Sequence, residues 1–114
     1  MKMRSGITLG AAGLLFGVST SVLAQGNAAA GMHKNALCQG CHGIPDYKTA
    51  FPFVYRVPKL AGQHAAYIVS ALKAYKAGDR SHPTMRAIAA GLSDQDMADL
   101  AAYYAAPDGK TTSQ

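Results

Sequence analysis

The run Cys38-Gln39-Gly40-Cys41-His42 holds both cysteines and one of the four histidines in the protein's 114 residues. Thiols at i and i+3 lie on one face of a helical turn, where each can add to one vinyl group of a porphyrin. The histidine that follows at once can swing beneath the macrocycle and bind its iron through a ring nitrogen. C-x-x-C-H is accordingly a haem-attachment pattern, with haem c held covalently by Cys38 and Cys41 and the metal ligated by His42. Rival chemistries leave part of the motif unused. A thioredoxin-like dithiol belongs after a strand in a βαβ pattern, and no parallel-strand run is visible. A zinc centre needs a second pair of ligands. A disulfide between residues three apart closes only a tiny loop and leaves His42 unexplained.

Iron bound by His42 has a second axial position, and the ligand there is a main control on reduction potential. Met85, Met97 and Met32 are the thioether candidates, and His82, His64 and His33 are the rival imidazoles. Met97 sits on the apolar stripe of the last helix and reads as core packing. Met32 shares the first helix with Cys38 and points away from the opposite haem face. Met85 follows His82-Pro83-Thr84 in a loop, 43 residues after His42, and is free to approach from the far side. The reading therefore takes His42 and Met85 as the metal ligands.

Five segments must position these groups. Asn27 to Gln39 is Ala-rich and free of proline, a helix carrying Cys38 near its end, with Gly43 and Pro45 as the stop. Gly43 to Gly62 has no helical period and holds Pro45, Pro52 and Pro58, so it reads as an ordered loop. Ile68, Ala71, Leu72 and Tyr75 fall at helical spacing, closed by Gly78. A short helical turn over Arg86 to Ala90 precedes the best-signalled helix, in which Ser93 and Asp96 form a capping box and Met97, Leu100, Ala101 and Tyr104 make the apolar face.

Met1-Lys2-Met3-Arg4, the apolar run from Ile7 to Val18 and the exit Val22-Leu23-Ala24 have the order of a secretory signal peptide, with cleavage expected after Ala24. Gly10, Gly13 and Gly17 interrupt the run, and Gly6 and Ser19-Thr20-Ser21 bound it, against the roughly 20 predominantly apolar residues of a spanning helix. The expected organisation is a cleaved leader over 1–24, one domain over 25–107 and a loose polar tail over 108–114, in the periplasm and without a membrane span. The remaining 90 residues keep nine of the 11 lysines and arginines and all six acidic residues, a net charge of +3. Nucleic-acid binding, which usually shows as a dense basic stripe, is not expected. A domain this small and rich in alanine buries little volume, so a cofactor is needed to fill its middle.

The residues from Gly31 onward resemble a soluble class I cytochrome c of the small bacterial monohaem type. The likeness rests on Gly31 seven residues before Cys38, on Cys38 to Gly43, on Pro58-Lys59-Leu60-Ala61-Gly62-Gln63, on the Tyr67 to Tyr75 helix, on Met85 and on Leu100 to Tyr104. It implies an all-α cytochrome c fold, about four helices around one covalently bound haem, with the first and last helices crossing where Gly31 admits Tyr103 or Tyr104. It also implies that the Pro58 carbonyl accepts the Nδ1 hydrogen of His42 and that Leu60 packs against the haem. The stretch from Gly43 to Val57 is longer than the family's Gly-rich link, and there Tyr55 and Arg56 are candidate donors to a haem propionate.

With both axial positions filled, such a protein is a one-electron carrier between redox protein partners and not an enzyme. Lys34, Lys48, Lys59, Lys73 and Lys76 are candidates for a weakly positive rim that favours acidic docking surfaces. A monomer or weak oligomer is expected. Two alternatives stay open: a haem protein with a labile sixth ligand, suited to gas binding or peroxidase-like chemistry, and a subunit of a larger redox complex.

Overall fold

A computed structural model describes residues 25–51 and 53–107; the expected leader, the tail and Pro52 lie outside the described residues. Five helices follow in order: α1 (Ala28–Lys34), α2 (Ala36–His42), α3 (Ala65–Ala77), α4 (Pro83–Ala90) and α5 (Asp94–Tyr104). Among the described residues there is no strand, only an isolated antiparallel bridge between Lys48 and Arg56. The architecture is all-α, as expected, with one helix more than the four read from the sequence.

The extra helix comes from a break in the first. Asn35, 7% exposed, takes ψ near 3° instead of a helical value, and its carbonyl accepts from the N–H groups of both Cys38 (2.8 Å) and Gln39 (2.9 Å). One helix over 27–39 is therefore two, and the C-x-x-C-H run lies wholly within α2, which ends at His42 and is closed by Gly43. Asparagine bonds readily to local backbone and is a weak helix former, but alanines on both sides mask that weakness in the sequence.

α5 is the central element. Its capping box is present, with Ser93 Oγ accepting from the Asp96 N–H (3.1 Å) and the Asp96 carboxylate accepting from the Ser93 N–H (2.9 Å). Its inner residues Leu100, Ala101 and Tyr104 form the core with Ile68 of α3, while Met97 is completely buried. α1 crosses α5 in very close contact. A Cβ on Gly31 would stand 2.1 Å from the Asp99 carbonyl oxygen and 2.8 Å from Tyr103 Cβ, so Tyr103 is the aromatic that the glycine admits. Gly26, unremarked in the sequence, is as tight against the Ala98 carbonyl, at 2.0 Å.

A buried carboxylate ties this crossing. Asp99, 3% exposed, accepts from the Asn27 N–H (2.8 Å), the Lys34 ammonium (2.6 Å) and the Gln95 amide (2.9 Å). Lys34 also meets Asp96 at 2.8 Å. The Lys34 ammonium, the Asn27 amide and the Gln95 amide hold the Asp99 carboxyl at about 2, below its ordinary 3.8. Lys34 and the Ser93 contacts push Asp96 further down. Because both folded values lie below the unfolded one, the stabilisation is complete above about pH 4 and drains as pH falls toward 2. The holoprotein should lose melting temperature steeply over that interval, and Asp99→Asn should melt lower at neutral pH with a shallower acid dependence. Equal acid slopes in the two proteins would contradict this.

Candidate functional site

Between α2, the loop over 47–60, α3, α4 and the inner face of α5 lies a cavity of about 410 Å³. Cys38, Cys41 and His42 enter it from α2, Tyr55, Arg56, Pro58 and Leu60 from the loop, and Met85 from α4. Every site residue expected from the sequence therefore lines one space.

The His42 ring is oriented from behind. Its Nδ1 lies 2.7 Å from the Pro58 carbonyl oxygen; a carbonyl only accepts, so Nδ1 carries the hydrogen and Nε2 keeps its lone pair for a metal. Pro58 is held in turn by the segment that follows it. Gly62, in the left-handed region at φ 83°, donates its N–H to the carbonyls of Tyr104 and Ala106, each at 2.9 Å. The segment from Pro58 to Gln63 thus hangs from the end of α5, and Leu60 packs against the Ile68, Leu100, Ala101 and Tyr104 core.

Cys38 and Cys41 are free thiols. Burial pushes the Cys38 thiol up, whereas a reactive redox dithiol needs its thiol lowered. Among the described residues no group of three or more His, Cys, Asp or Glu side chains is placed to hold a metal ion. Neither dithiol chemistry nor a zinc centre gains support from this geometry.

Met85 lies in a helix and not in a loop. It is the third residue of α4, which starts at Pro83 because proline suits the first helical position and His82 caps the end. Of the rivals, Met97 is buried in the core, Met32 is 46% exposed, and His33 and His64 are exposed; none of the four lines the cavity. His82 does, beside Met85, and its Nδ1 accepts the Met85 N–H at 3.2 Å.

The five lysines of the expected rim are placed differently from one another. Lys34 is committed to Asp96 and Asp99, Lys73 stands 3.6 Å from Asp94, and Lys76 donates to the Leu92 carbonyl. Each finds an acceptor on or beside α5, which helical periodicity does not reveal. Lys59 alone of the five lines the cavity, joined by Arg56 and by Arg80, which the sequence reading passed over. The Arg80 guanidinium lies 4.8 Å over the Tyr75 ring and donates to Tyr67 Oη at 3.3 Å. The signal available was the i, i+4, i+8 spacing of Tyr67, Ala71 and Tyr75, a stripe of α3 that faces the cavity. These three cations line a space to which no acidic side chain among the described residues contributes.

The donor set suits a covalently attached, dianionic haem. Two thiols, an oriented imidazole and a methionine side chain line the same space, and cationic groups join a wall that is otherwise largely apolar. Tyr104 adds a second sign of fit: its hydroxyl is buried without a hydrogen-bond partner among the described residues, on a side chain that lines the cavity.

The Cytochrome c family model matches residues 27–105. Cytochrome c4 of Pseudomonas aeruginosa is 41% identical over 92 residues, covering 81% of this chain and 44% of that protein. Cytochrome c-554(548) of Halomonas halodenitrificans is 44% identical over 86 residues, covering 73% of this chain and 99% of that one. Among solved structures, reduced recombinant cytochrome c4 from Pseudomonas stutzeri superposes with a TM-score of 0.57 at 37% identity, over 70% of this chain and 45% of that one. The chain thus spans under half the length of these cytochrome c4 relatives and nearly all of the c-554(548) protein. With a C-x-x-C-H helix, a histidine oriented by a proline carbonyl and a matching family model over most of its length, the chain belongs to the cytochrome c family.

Proposed function

We propose that the protein is a periplasmic one-electron carrier, with haem c attached through Cys38 and Cys41 and its iron held between His42 and Met85. The observation that carries this is the placing of Met85 in the same cavity as His42, whose free Nε2 follows from the Pro58 bond. Haem would supply an iron that changes by one electron, and with both His42 and Met85 holding it no position would be left for a substrate. The protein's own residues do the rest. Pro58 fixes the imidazole tautomer and strengthens its donation, the Met85 thioether would hold the metal from the other side and raise its potential, and Leu60, Ile68 and Leu100 keep the cavity wall apolar. Tyr55 and Arg56 are the candidate donors to the propionates, and Arg80, in the same lining, is a third.

Among the described residues no helix is long and apolar enough to cross a membrane. Export through the leader and its removal after Ala24 belong to the same reading, and they match the compartment in which c-type attachment occurs. Lys59, exposed and lining the cavity, suits acidic surfaces on redox protein partners, and such docking makes transfer rates fall as ionic strength rises. Rates independent of salt would remove the acidic-surface reading.

Mass spectrometry and an alkaline pyridine spectrum of protein made with haem-maturation factors test the core of the proposal. The expected chain starts at Gln25 and carries one covalent haem with a c-type spectrum. Cys38→Ala/Cys41→Ala should carry none, and covalent haem persisting in that double variant would defeat the assignment.

A further inference from the structure

His82 stands where three elements meet. It is the N-cap of α4, extended at φ −166° and ψ 108°. Serine, threonine, aspartate and asparagine usually fill this position, and a serine stands next to it at position 81. At this end of α4, Pro83 has no N–H and the first turn holds no acidic residue to offset the helix dipole. The Met85 N–H is one of the donors left without an intrahelical partner, and His82 Nδ1 accepts it at 3.2 Å. The cap bond is therefore made to the backbone of the very residue that presents its thioether to the cavity.

The imidazole does what a small cap cannot. Its ring lies 4.2 Å from that of Tyr55, tilted by 41°, and 6.3 Å from that of Tyr75 in an edge-to-face arrangement. Tyr55 belongs to the loop, where the Thr49 hydroxyl accepts its N–H at 2.9 Å and the Thr49 N–H donates to its carbonyl at 2.9 Å. Tyr75 belongs to α3, and its ring carries the Arg80 guanidinium. One side chain thus pins the first turn of α4 to the loop and to α3. Moving the first turn of α4, and Met85 with it, away from the loop and α3 requires breaking the cap bond or lifting the ring from both tyrosines.

We propose that His82 is a positioning residue for the axial methionine: by capping α4 on the Met85 N–H and wedging against Tyr55 and Tyr75, it holds the thioether in place and resists its exchange for outside ligands. This rests on the reading of Met85 as the sixth ligand. Imidazole binding to the ferric holoprotein tests it, because imidazole enters only when the thioether leaves. His82→Ala should bind imidazole about tenfold more tightly, the scale of a lost cap. His82→Asn restores a cap acceptor without the ring and should recover part of that tenfold, as should His82→Phe, which restores the ring without the acceptor.

Wild-type imidazole affinity in His82→Ala would overturn the proposal. So would equal loosening in all three variants that merely tracks their melting temperatures, since that marks a structural role alone. Met85→Ala separates the two layers of argument. If it binds imidazole no better than wild type, the ligand assignment fails and His82 falls with it. If it binds far more tightly while His82→Ala is unchanged, only the role of His82 is wrong.

Discussion

Met85→Ala should erase the long-wavelength sulfur-to-iron charge-transfer band of the ferric holoprotein and lower its reduction potential by on the order of 100 mV. A thioether stabilises the ferrous ion relative to water or a nitrogen ligand, so its removal favours the ferric state. The open position should also take carbon monoxide in the reduced protein at neutral pH, which the firmly ligated parent should resist. Other causes of a fall in potential can be separated. Met97→Leu, altered in the core away from the cavity, should keep the band and the potential. Met85→His should restore a low-spin iron but not the high potential, because a second imidazole is a weaker stabiliser of the ferrous state than a thioether. An unchanged band in Met85→Ala would exclude Met85 and return attention to His82, the one other rival ligand that lines the cavity.

The second large effect is on stability. Gly31→Ala should destabilise the holoprotein by about 3 kcal/mol or more, enough to lower the melting temperature by roughly 12–24 °C for a domain of this size. Helix propensity alone predicts the opposite sign, since alanine is better than glycine in a helix interior by about 1 kcal/mol. Contact geometry decides it. The new methyl would sit 2.1 Å from the Asp99 carbonyl oxygen and 2.7 Å from its carbon, both backbone atoms that cannot step aside without moving α5. Parting the helices would also stretch the bonds from Asn27 and Lys34 to Asp99. Gly40 is the internal control. It too lies in a helix, between the two cysteines, but nothing stands within 4 Å of its notional Cβ. Gly40→Ala should therefore be neutral or stabilising by up to about 1 kcal/mol. Calorimetry of both variants checks the pair, and a Gly31→Ala protein as stable as Gly40→Ala would refute the tight crossing.

Much of the site was legible because its chemistry is local. Cys38, Cys41 and His42 are rare residues whose spacing has meaning within a single helical turn, and α2 places them together whatever the rest of the chain does. Ser93 and Asp96 likewise declare the start of α5, because a capping box closes over four residues. The break at Asn35 and the helical setting of Met85 were not legible. The first depends on burial of one asparagine among alanines, and the second on a histidine doing the work of a serine or aspartate cap.

The lysines mark the limit most clearly. Lys34 and Lys59 are equivalent as letters, yet one is bonded to two carboxylates across the α1–α5 crossing and the other lines the cavity. Arg80 entered the cavity wall only because Gly78 ends α3 with a left-handed turn that brings the chain back along the Tyr75 ring. The sequence by itself determined which residues can attach and ligate a haem, since covalent addition and the first ligand need only the reach of one turn. Tertiary structure decided what the iron faces on its other side, which cations line the cavity and why His82 touches Met85, because those pairings join residues dozens of positions apart or depend on how α3, α4 and the loop pack together.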